Sequence, residues 1–236
     1  MPLSERDFYN GYMSHDDFLA TPESAHTLSL APKQRRELNK WRQAMQDPTH
    51  SERYAARWEK LEAAGQDIDG EARAIDAIAA RESTILDAGC GNGRVAGYLA
   101  AAGHHVTGID LDPHLVDVAS TKFPQAHFQV ADLADFVLRD EHGHVRTFDI
   151  IVSAGNVQAF LAEWERVPAL VNVANHMHEQ SRYVTGFQLT RGYSQSQFTA
   201  DAYAAGLEVL QRFSTWQFEP FDDEGEFLLA VTRRRI

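Results

Sequence analysis

Glycines and aspartates in one short stretch are the residues of this chain best suited to bind a ligand. Gly89, Gly91 and Gly93 allow the backbone to turn sharply and to lie close to a ligand. Asp87 precedes this turn and Asp110 follows it. A turn that opens a helix also presents unpaired N–H groups, which favour a carboxylate or a phosphate. The pattern therefore predicts a site for a ligand that has an anionic group and hydroxyls that donate hydrogen bonds to a carboxylate.

Strands and a helix must surround the turn to hold these residues in place. The sequence predicts a buried strand over 84–88, a helix over 93–102 and a second strand that ends at Asp110. This order is half of a nucleotide-binding α/β unit. In such a unit, Asp110 offers two oxygens to the two hydroxyls of a ribose.

Two cofactors fit this arrangement, S-adenosylmethionine and a dinucleotide. The dinucleotide pattern G-x-G-x-x-G/A fails when it starts at Gly89, because Arg94 occupies its third position, but it matches formally from Gly91. The glycines alone do not decide between the two. Asp87 favours the ammonium and sulfonium of S-adenosylmethionine, since its carboxylate would repel a nearby pyrophosphate.

Four segments in order resemble the motifs of class I S-adenosylmethionine-dependent methyltransferases. They are Leu-Asp-Ala-Gly-Cys-Gly-Asn-Gly at 86–93, Asp-Leu-Asp-Pro at 110–113, Ala-Asp-Leu at 131–133 and Phe-Asp-Ile-Ile-Val at 148–152. The resemblance covers 83–235 and does not reach the first eighty residues. It implies S-adenosylmethionine as the cofactor.

The resemblance also implies which residues bind the cofactor. Asp87 would hold the ammonium, Asp110 the ribose hydroxyls and Asp132 the adenine amino group, with the Leu133 N–H directed to a ring nitrogen. For Asp132 the alternative is a helix N-cap. The predicted cofactor-binding residues are Asp87, Gly89, Cys90, Gly91, Asn92, Arg94, Asp110, Leu111, Asp132, Leu133, Ala154, Gly155 and Asn156.

The sequence that should line the site of the methyl acceptor says less about function. Gly155 and Asn156 follow the fourth strand, where enzymes of this family line the methyl-transfer site. Many of them have a longer polar or aromatic motif there, whereas this chain has Ala-Gly-Asn-Val-Gln. The resemblance therefore names neither the acceptor nor a catalytic residue. Methyl transfer from a sulfonium needs alignment above all, and a base only if the acceptor must lose a proton.

The predicted fold is α/β, with a Rossmann-like seven-stranded sheet that is mostly parallel and has helices on both faces. Further strands are predicted over 126–130, 145–153, 182–189, 207–218 and 226–233. About seven residues separate the last two, too few for a crossover helix, so they should form an antiparallel C-terminal hairpin. Helices are predicted over 113–122 and 163–178. Capping boxes are predicted at Thr49–Glu52 and Ser194–Gln197.

Two domains are predicted, an N-terminal helical cap over 1–80 and the methyltransferase domain over 81–236. Helices are expected over 33–46, from Thr49 to about Ala64, and over 70–80. The arm over 1–30 has two interpretations: packing on the body or on the partner of a homodimer, and a lid over the acceptor. The lid hypothesis is preferred and extends over the N-terminal segment 1–60, with Tyr54 or Arg57 nearest the cofactor. The other side chains assigned to it are Tyr9, Tyr12, His15, His26 and Trp58.

The cysteine and the paired histidines are not assigned chemistry. Cys90 is expected to pack under the glycine turn, because no histidine is placed to activate it. His142 with His144, and His176 with His178, are spaced as metal ligands could be. They are expected at the far edge of the sheet, solvated and without acidic neighbours, so no metal site is predicted.

Composition limits the function classes. A net charge of −12 disfavours a nucleic-acid partner. The sequence contains neither a membrane-spanning apolar stretch nor a signal-peptide pattern, and one cysteine agrees with the cytoplasm. The predicted function is methyl transfer to a small molecule. The alternatives are a nicotinamide-dependent oxidoreductase and a protein that binds the cofactor without turnover.

Overall fold

The computed structural model describes residues 38–235. The segment 1–37, which holds most of the predicted arm, lies outside the described residues. The helices are α1 (Lys40–Ala44), α2 (His50–Ala63), α3 (Gly70–Ile78), α4 (Arg94–Ala101), α5 (Pro113–Lys122), α6 (Val157–Phe160), α7 (Glu163–Asn175) and α8 (Gln195–Ala204). The strands are β1 (Thr84–Ala88), β2 (His105–Asp110), β3 (His127–Val130), β4 (Phe148–Ser153), β5 (Met177–Gln188), β6 (Leu207–Phe213) and β7 (Phe227–Arg234).

The seven strands form one sheet in the order β3-β2-β1-β4-β5-β7-β6. Strands β1 to β5 pair in parallel, while β7 pairs antiparallel with both β5 and β6. The predicted fold class is confirmed. Only β7 runs opposite to the other strands of this sheet. It lies between β5 and β6 and pairs antiparallel with both, so β6 runs in the same direction as β1 to β5.

Helices cover both faces of the sheet, each over its own apolar core. Along β1, Leu86 faces a core that contains Leu170 of α7, whereas Ile85 faces a core that contains Ile75 of α3 and Leu99 of α4. This alternation is what a strand buried on both faces requires. Because β1 to β5 run parallel, their carboxyl ends lie at one edge of the sheet, and α4 begins beside this edge.

One predicted capping box is confirmed and the other is wrong. The Ser194 hydroxyl oxygen accepts a hydrogen bond from the Gln197 N–H at 3.2 Å, and the Gln197 side-chain oxygen accepts one from the Ser194 N–H at 3.1 Å. Thr49 makes no side-chain cap. Its N–H and hydroxyl both donate to Asp47, at 2.9 and 2.8 Å, so the hydroxyl is drawn away from the helix.

The predicted boundaries near β5 and β6 need correction. Helix α7 ends at Asn175 and β5 already begins at Met177, so the predicted helix ran too far and the predicted strand started too late. His176 ends the helix because both its ring nitrogens bond to main-chain groups. Strand β6 ends at Phe213, so the connection to β7 is longer than the seven residues expected. None of the described helices is long and apolar enough to cross a membrane.

Candidate functional site

A cavity, open to solvent on one side, lies at the carboxyl edge of the sheet and encloses about 810 Å³ of empty space, part of which is open solvent. All the predicted cofactor-binding residues except Asn156 line it. The lining residues are Asn39, Trp41, Tyr54, Asp87, Gly89, Cys90, Gly91, Asn92, Arg94, Val95, Asp110, Leu111, Leu115, Ala131, Asp132, Leu133, Ala154, Gly155, Val157, Phe160 and Leu161.

The glycine turn forms the floor of the cavity. The N–H groups of Gly89 and Cys90 both donate to the Ile109 carbonyl, at 2.8 and 3.0 Å, which ties the turn to the end of β2. Gly91 and Gly93 have φ values of 53° and 79°, in the left-handed region where side chains are disfavoured. Gly93 is also the N-cap of α4. The turn therefore holds the first N–H groups of α4 next to the cavity.

Asp87 is the buried acid at the end of β1. Its side chain is 1% exposed, and one oxygen accepts the Ala96 N–H at 3.1 Å. Burial raises the pKa of Asp87 to about 7, although nearby Arg94 and the Ala96 N–H act in the opposite direction. An acid held this way gains from a cation in the cavity, because a positive ligand favours its ionised form.

Asp110 stands at the end of β2, on the other side of the turn. Its two oxygens accept the N–H groups of Gly91 at 2.8 Å and Asp112 at 2.9 Å. Burial raises the pKa of Asp110 to about 6, against the effect of these two donors. Each carboxylate oxygen has more than one lone pair, so the contacts leave acceptor capacity for hydroxyls.

Asp132 has two structural partners besides its place in the cavity. One oxygen accepts the Ala134 N–H at 2.9 Å and caps the 3₁₀ turn Leu133–Asp135, as the alternative interpretation of Asp132 required. The other forms an ion pair with the Arg42 guanidinium at 2.5 Å. A ligand at this end of the cavity would share Asp132 with Arg42, a residue of α1.

Arg94 lines the cavity, but its guanidinium is committed elsewhere. It forms a bidentate ion pair with Glu71 at 2.7 and 2.9 Å, and it also donates to the Ile68 carbonyl. The guanidinium lies over the Trp58 ring, 4.3 Å from its centroid. Glu71 is itself buried, so this pair joins α3 to the start of α4. Cofactor binding by Arg94 stays a prediction.

The end of β4 contributes backbone to the cavity wall. Ala154 and Gly155 line it, whereas Asn156 is fully buried behind it. The Asn156 side chain accepts the Gln188 N–H at 2.7 Å and so joins the ends of β4 and β5. Its φ of 68° turns the chain into α6, which brings Phe160 to the cavity.

Sequence reasoning missed two lining residues before β1, Asn39 and Trp41, and predicted a third, Tyr54. Trp41 donates from its ring to Asp112 at 3.1 Å, and this bond holds α1 against the end of β2. Tyr54 lies over the turn, 3.6 Å from where a Cβ on Gly91 would be. Of the two predicted neighbours of the cofactor, Tyr54 lines the cavity and Arg57 does not. The one available signal was the aromatic stripe of α2, which is equally typical of a core helix.

The histidine predictions are partly wrong. His176 is buried rather than solvated, stacked on Phe136 with the ring centroids 4.6 Å apart. His178 has an acidic neighbour, with its ring 3.1 Å from Asp149, and His144 lies 3.4 Å from Asp140. Within 38–235, no group of three or more His, Cys, Asp or Glu side chains is placed to hold a metal ion.

Cys90 packs as expected under the glycine turn. Burial raises the pKa of its thiol, so the thiol stays protonated and is a poor nucleophile.

Known proteins match this chain over its α/β portion. Residues 85–180 match a family described as a methyltransferase domain. The crystal structure of a TehB-like SAM-dependent methyltransferase from Corynebacterium glutamicum is 48% identical in sequence. The match covers 80% of this chain and 100% of that one, with a TM-score of 0.76.

Two relatives known by activity match over less of their length. A ubiquinone biosynthesis O-methyltransferase from Rickettsia akari is 28% identical over 148 residues, which cover 61% of this chain and 52% of that protein. A magnesium-protoporphyrin O-methyltransferase from Rhodobacter capsulatus is 38% identical over 56 residues, 22% of this chain and 25% of that protein. The chain thus spans about half of one relative and a quarter of the other.

Proposed function

We propose, on the premise that the chain belongs to the class I S-adenosylmethionine-dependent methyltransferase family, that it transfers a methyl group to a small organic acceptor. The observation that carries this proposal is the cavity at the carboxyl edge, where Asp87, the glycine turn and Asp110 meet. Ligands of open α/β sheets bind at this edge. A small acceptor is supported by the net charge of −12, which opposes polyanionic substrates, and by the activities of the two O-methyltransferase relatives.

The residues present suit the cofactor chemically. Two buried acids with raised pKa values face a cavity next to a helix start, which fits a ligand with a cationic group, a carboxylate and a ribose. We assign the cationic end to Asp87, the ribose hydroxyls to Asp110 and the adenine amino group to Asp132. The side chains of Leu111 and Leu133 supply apolar wall for the adenine. When bound, S-adenosylmethionine supplies an already activated methyl group.

The contribution of the protein is then binding, orientation and exclusion of water. Ala154 and Gly155 present backbone at the end of β4, and Phe160 and Leu161 add an apolar wall. These residues supply no titratable side chain of their own. The proposal therefore requires alignment of donor and acceptor rather than a protein nucleophile.

The helices before β1 act in this proposal as a cap, which corresponds to the predicted domain over 1–80. Asn39, Trp41 and Tyr54 line the cavity, and the Arg42–Asp132 and Trp41–Asp112 bonds fasten the helices to the sheet edge. We extend the cap to the arm over 1–30, as a lid over the acceptor or a contact in a homodimer. For the compartment we propose the cytoplasm, in keeping with one cysteine in 236 residues.

Ligand binding followed by turnover tests the function. S-adenosylhomocysteine should raise the melting temperature and NAD should not, because a ligand that binds the folded state stabilises it by mass action. A response to NAD alone would favour the oxidoreductase alternative. Methyl transfer from labelled S-adenosylmethionine to a panel of small molecules then separates an enzyme from a protein that only binds the cofactor.

A further inference from the structure

Arg191 lies next to Phe160, a lining residue of the cavity, and follows β5, which two other strands separate from β2 and Asp110. It ends the 3₁₀ turn Leu189–Arg191, directly after the carboxyl end of β5. Its guanidinium carbon is 5.9 Å from the centroid of the Phe160 ring, and Phe160 lines the cavity. The Lys40 ammonium donates to the Arg191 carbonyl at 2.5 Å, which ties this turn to the cap.

Arg191 is a cation without an anion beside it. Its Nε donates to the Gln188 side chain at 2.7 Å, and no carboxylate of residues 38–235 lies within 4.0 Å of the guanidinium. The side chain is half-buried, and loss of hydration lowers the pKa of Arg191. A cation removed from water is costly unless an opposite charge compensates it.

The neighbourhood of Arg191 is also cationic, in a chain whose net charge is −12. Arg166 is buried, donates to the Gly192 carbonyl at 3.0 Å and lies over the Tyr193 ring, 4.0 Å from its centroid. The nearby acid Glu165 is already bonded to the Asn39 side chain at 3.1 Å and to the Ala162 N–H at 2.9 Å. Arg166 and Arg191 thus place two guanidinium groups near the end of β5, with Glu165 as a nearby acid. Asp87 and Asp110 lie at the ends of other strands, β1 and β2.

We propose that the methyl acceptor carries an oxyanion, a carboxylate or a phosphate, and that Arg191 binds it. This inference rests on the proposed function, since it assigns the substrate class of the same cavity. Gln188 holds Nε, which leaves the two terminal nitrogens as a planar fork for two oxygens. Arg191 follows β5 and the glycine turn follows β1, with β4 between these two strands, so the anion is bound apart from the cofactor. Arg191 is a specificity-determining residue in this assignment.

Matched anionic and neutral probes test this assignment without knowledge of the true acceptor. The full chain is first saturated with S-adenosylhomocysteine, and its affinity for benzoate, inorganic phosphate and benzamide is then measured by NMR titration. Benzoate or phosphate should bind at least about tenfold more tightly than benzamide, because hydrogen bonds to charged groups contribute roughly 1.5–3 kcal/mol. Which anion binds more tightly distinguishes a carboxylate from a phosphate.

The Arg191→Gln variant should lose at least about tenfold in anion affinity, while its affinity for S-adenosylhomocysteine stays unchanged. Arg191→Lys keeps the charge without the fork and should bind benzoate more weakly than the wild type. It also serves if the first variant does not fold. Arg139→Gln is the matched control, because Arg139 is exposed on a distant hairpin and bonds to the Gly143 carbonyl.

Three results would overturn the inference: equal affinity for benzoate and benzamide, anion affinity unchanged in both Arg191 variants, or no saturable anion binding by the loaded wild type. The proposed function fails separately, if S-adenosylhomocysteine itself does not bind. Binding of S-adenosylhomocysteine without binding of any anion contradicts only the assignment of Arg191.

Discussion

The pKa values of the aspartates are shifted in opposite directions at the two edges of the sheet. At the amino edge, Asp149 is partly buried, but it accepts the N–H and hydroxyl of Thr84 at 2.7 and 2.8 Å and lies 3.1 Å from the His178 ring. These partners outweigh burial and lower the pKa of Asp149. At the carboxyl edge, burial dominates and raises the pKa values of Asp87 and Asp110 to about 7 and about 6.

The difference separates a carboxylate that is paired within its own chain from two that have only main-chain donors. Asp149 is satisfied by partners from its own chain, so its charge joins the starts of β1 and β5 to β4. Asp87 and Asp110 have main-chain donors but lack an ion-pair partner among the described residues. Perturbed titration in a cavity is typical of functional sites, whereas a satisfied acid at the far edge is typical of structure.

The largest effect should come from filling the space that the ligand needs at the carboxyl edge. Gly91→Val should abolish detectable binding of S-adenosylhomocysteine, because the side chain points to the cavity beside Tyr54 and φ is 53°. The fold should survive, since a Cβ there meets no atom closer than 3.6 Å. Calorimetry on the folded variant measures the loss.

Gly103→Val is the control for the strain of a positive φ. Gly103 has φ of 97° with open space around it, and it lies just after α4, away from the cavity. This variant should lose stability and keep its affinity. Normal binding by the Gly91 variant would locate the cofactor elsewhere.

Removing the ribose acceptor should have the next largest effect. Asp110→Ala should weaken cofactor binding at least about tenfold, since hydrogen bonds to a charged acceptor contribute roughly 1.5–3 kcal/mol. Asp149→Ala is the matched control, because it removes an aspartate from the opposite edge. For the control, titration calorimetry should show full affinity, and thermal melts should show lowered stability. Equal affinity of the Asp110 variant and the wild type would exclude Asp110 as the ribose ligand.

The raised pKa of Asp87 predicts a pH dependence of binding. The ammonium group of S-adenosylhomocysteine prefers the ionised acid, so affinity for this ligand should rise by several-fold as pH passes upward through about 7. Asp87→Asn keeps the side-chain shape but does not titrate, and it should remove this rise. A series of binding measurements at different pH values checks it, and an identical profile in both proteins would contradict the assignment.

The raised pKa of Asp87 also predicts how the stability of the ligand-free protein depends on pH. Its pKa is higher in the folded state than in the unfolded state, so its protonated form favours folding at low pH and this contribution is lost as pH rises through about 7. For Asp149, whose pKa is lowered, the sign is reversed, and stability is lost as pH falls below its unfolded value. Each variant, Asp87→Asn or Asp149→Asn, lacks the titrating group, so the difference in stability between wild type and variant should show these opposite trends when thermal melts are compared across pH.

The smallest effect on cofactor affinity should come from the arm. Deleting 1–30 should leave affinity for S-adenosylhomocysteine within about threefold, less than 1 kcal/mol, because the lining residues described within 38–235 all stay in the shortened chain. Methyl transfer to a true acceptor should be mostly lost if the arm closes the site. Full activity of the shortened chain would make the arm a structural or subunit contact.

Local sequence determined the elements that carry the cofactor residues. Strand β1 has the predicted bounds and α5 begins at Pro113 after its Asp112 cap, because apolar runs, proline and a capping acid act over a few neighbouring residues. The prediction was poorer where distant groups compete. At Thr49 the nearby Asp47 takes the hydroxyl that the capping box required, and at His176 main-chain groups of the loop before β4 and of α7 end the helix.

By itself, the sequence determined that a glycine turn lies between two strands that end in aspartates. Glycine backbone freedom and strand alternation are properties of residues adjacent in the chain. Only the tertiary structure decided what surrounds that turn. Arg42 pairs with Asp132, and Arg94 turns from the cavity to Glu71, because helices packed on the sheet bring together groups far apart in sequence. Such contacts depend on how whole elements pack, which no local pattern encodes.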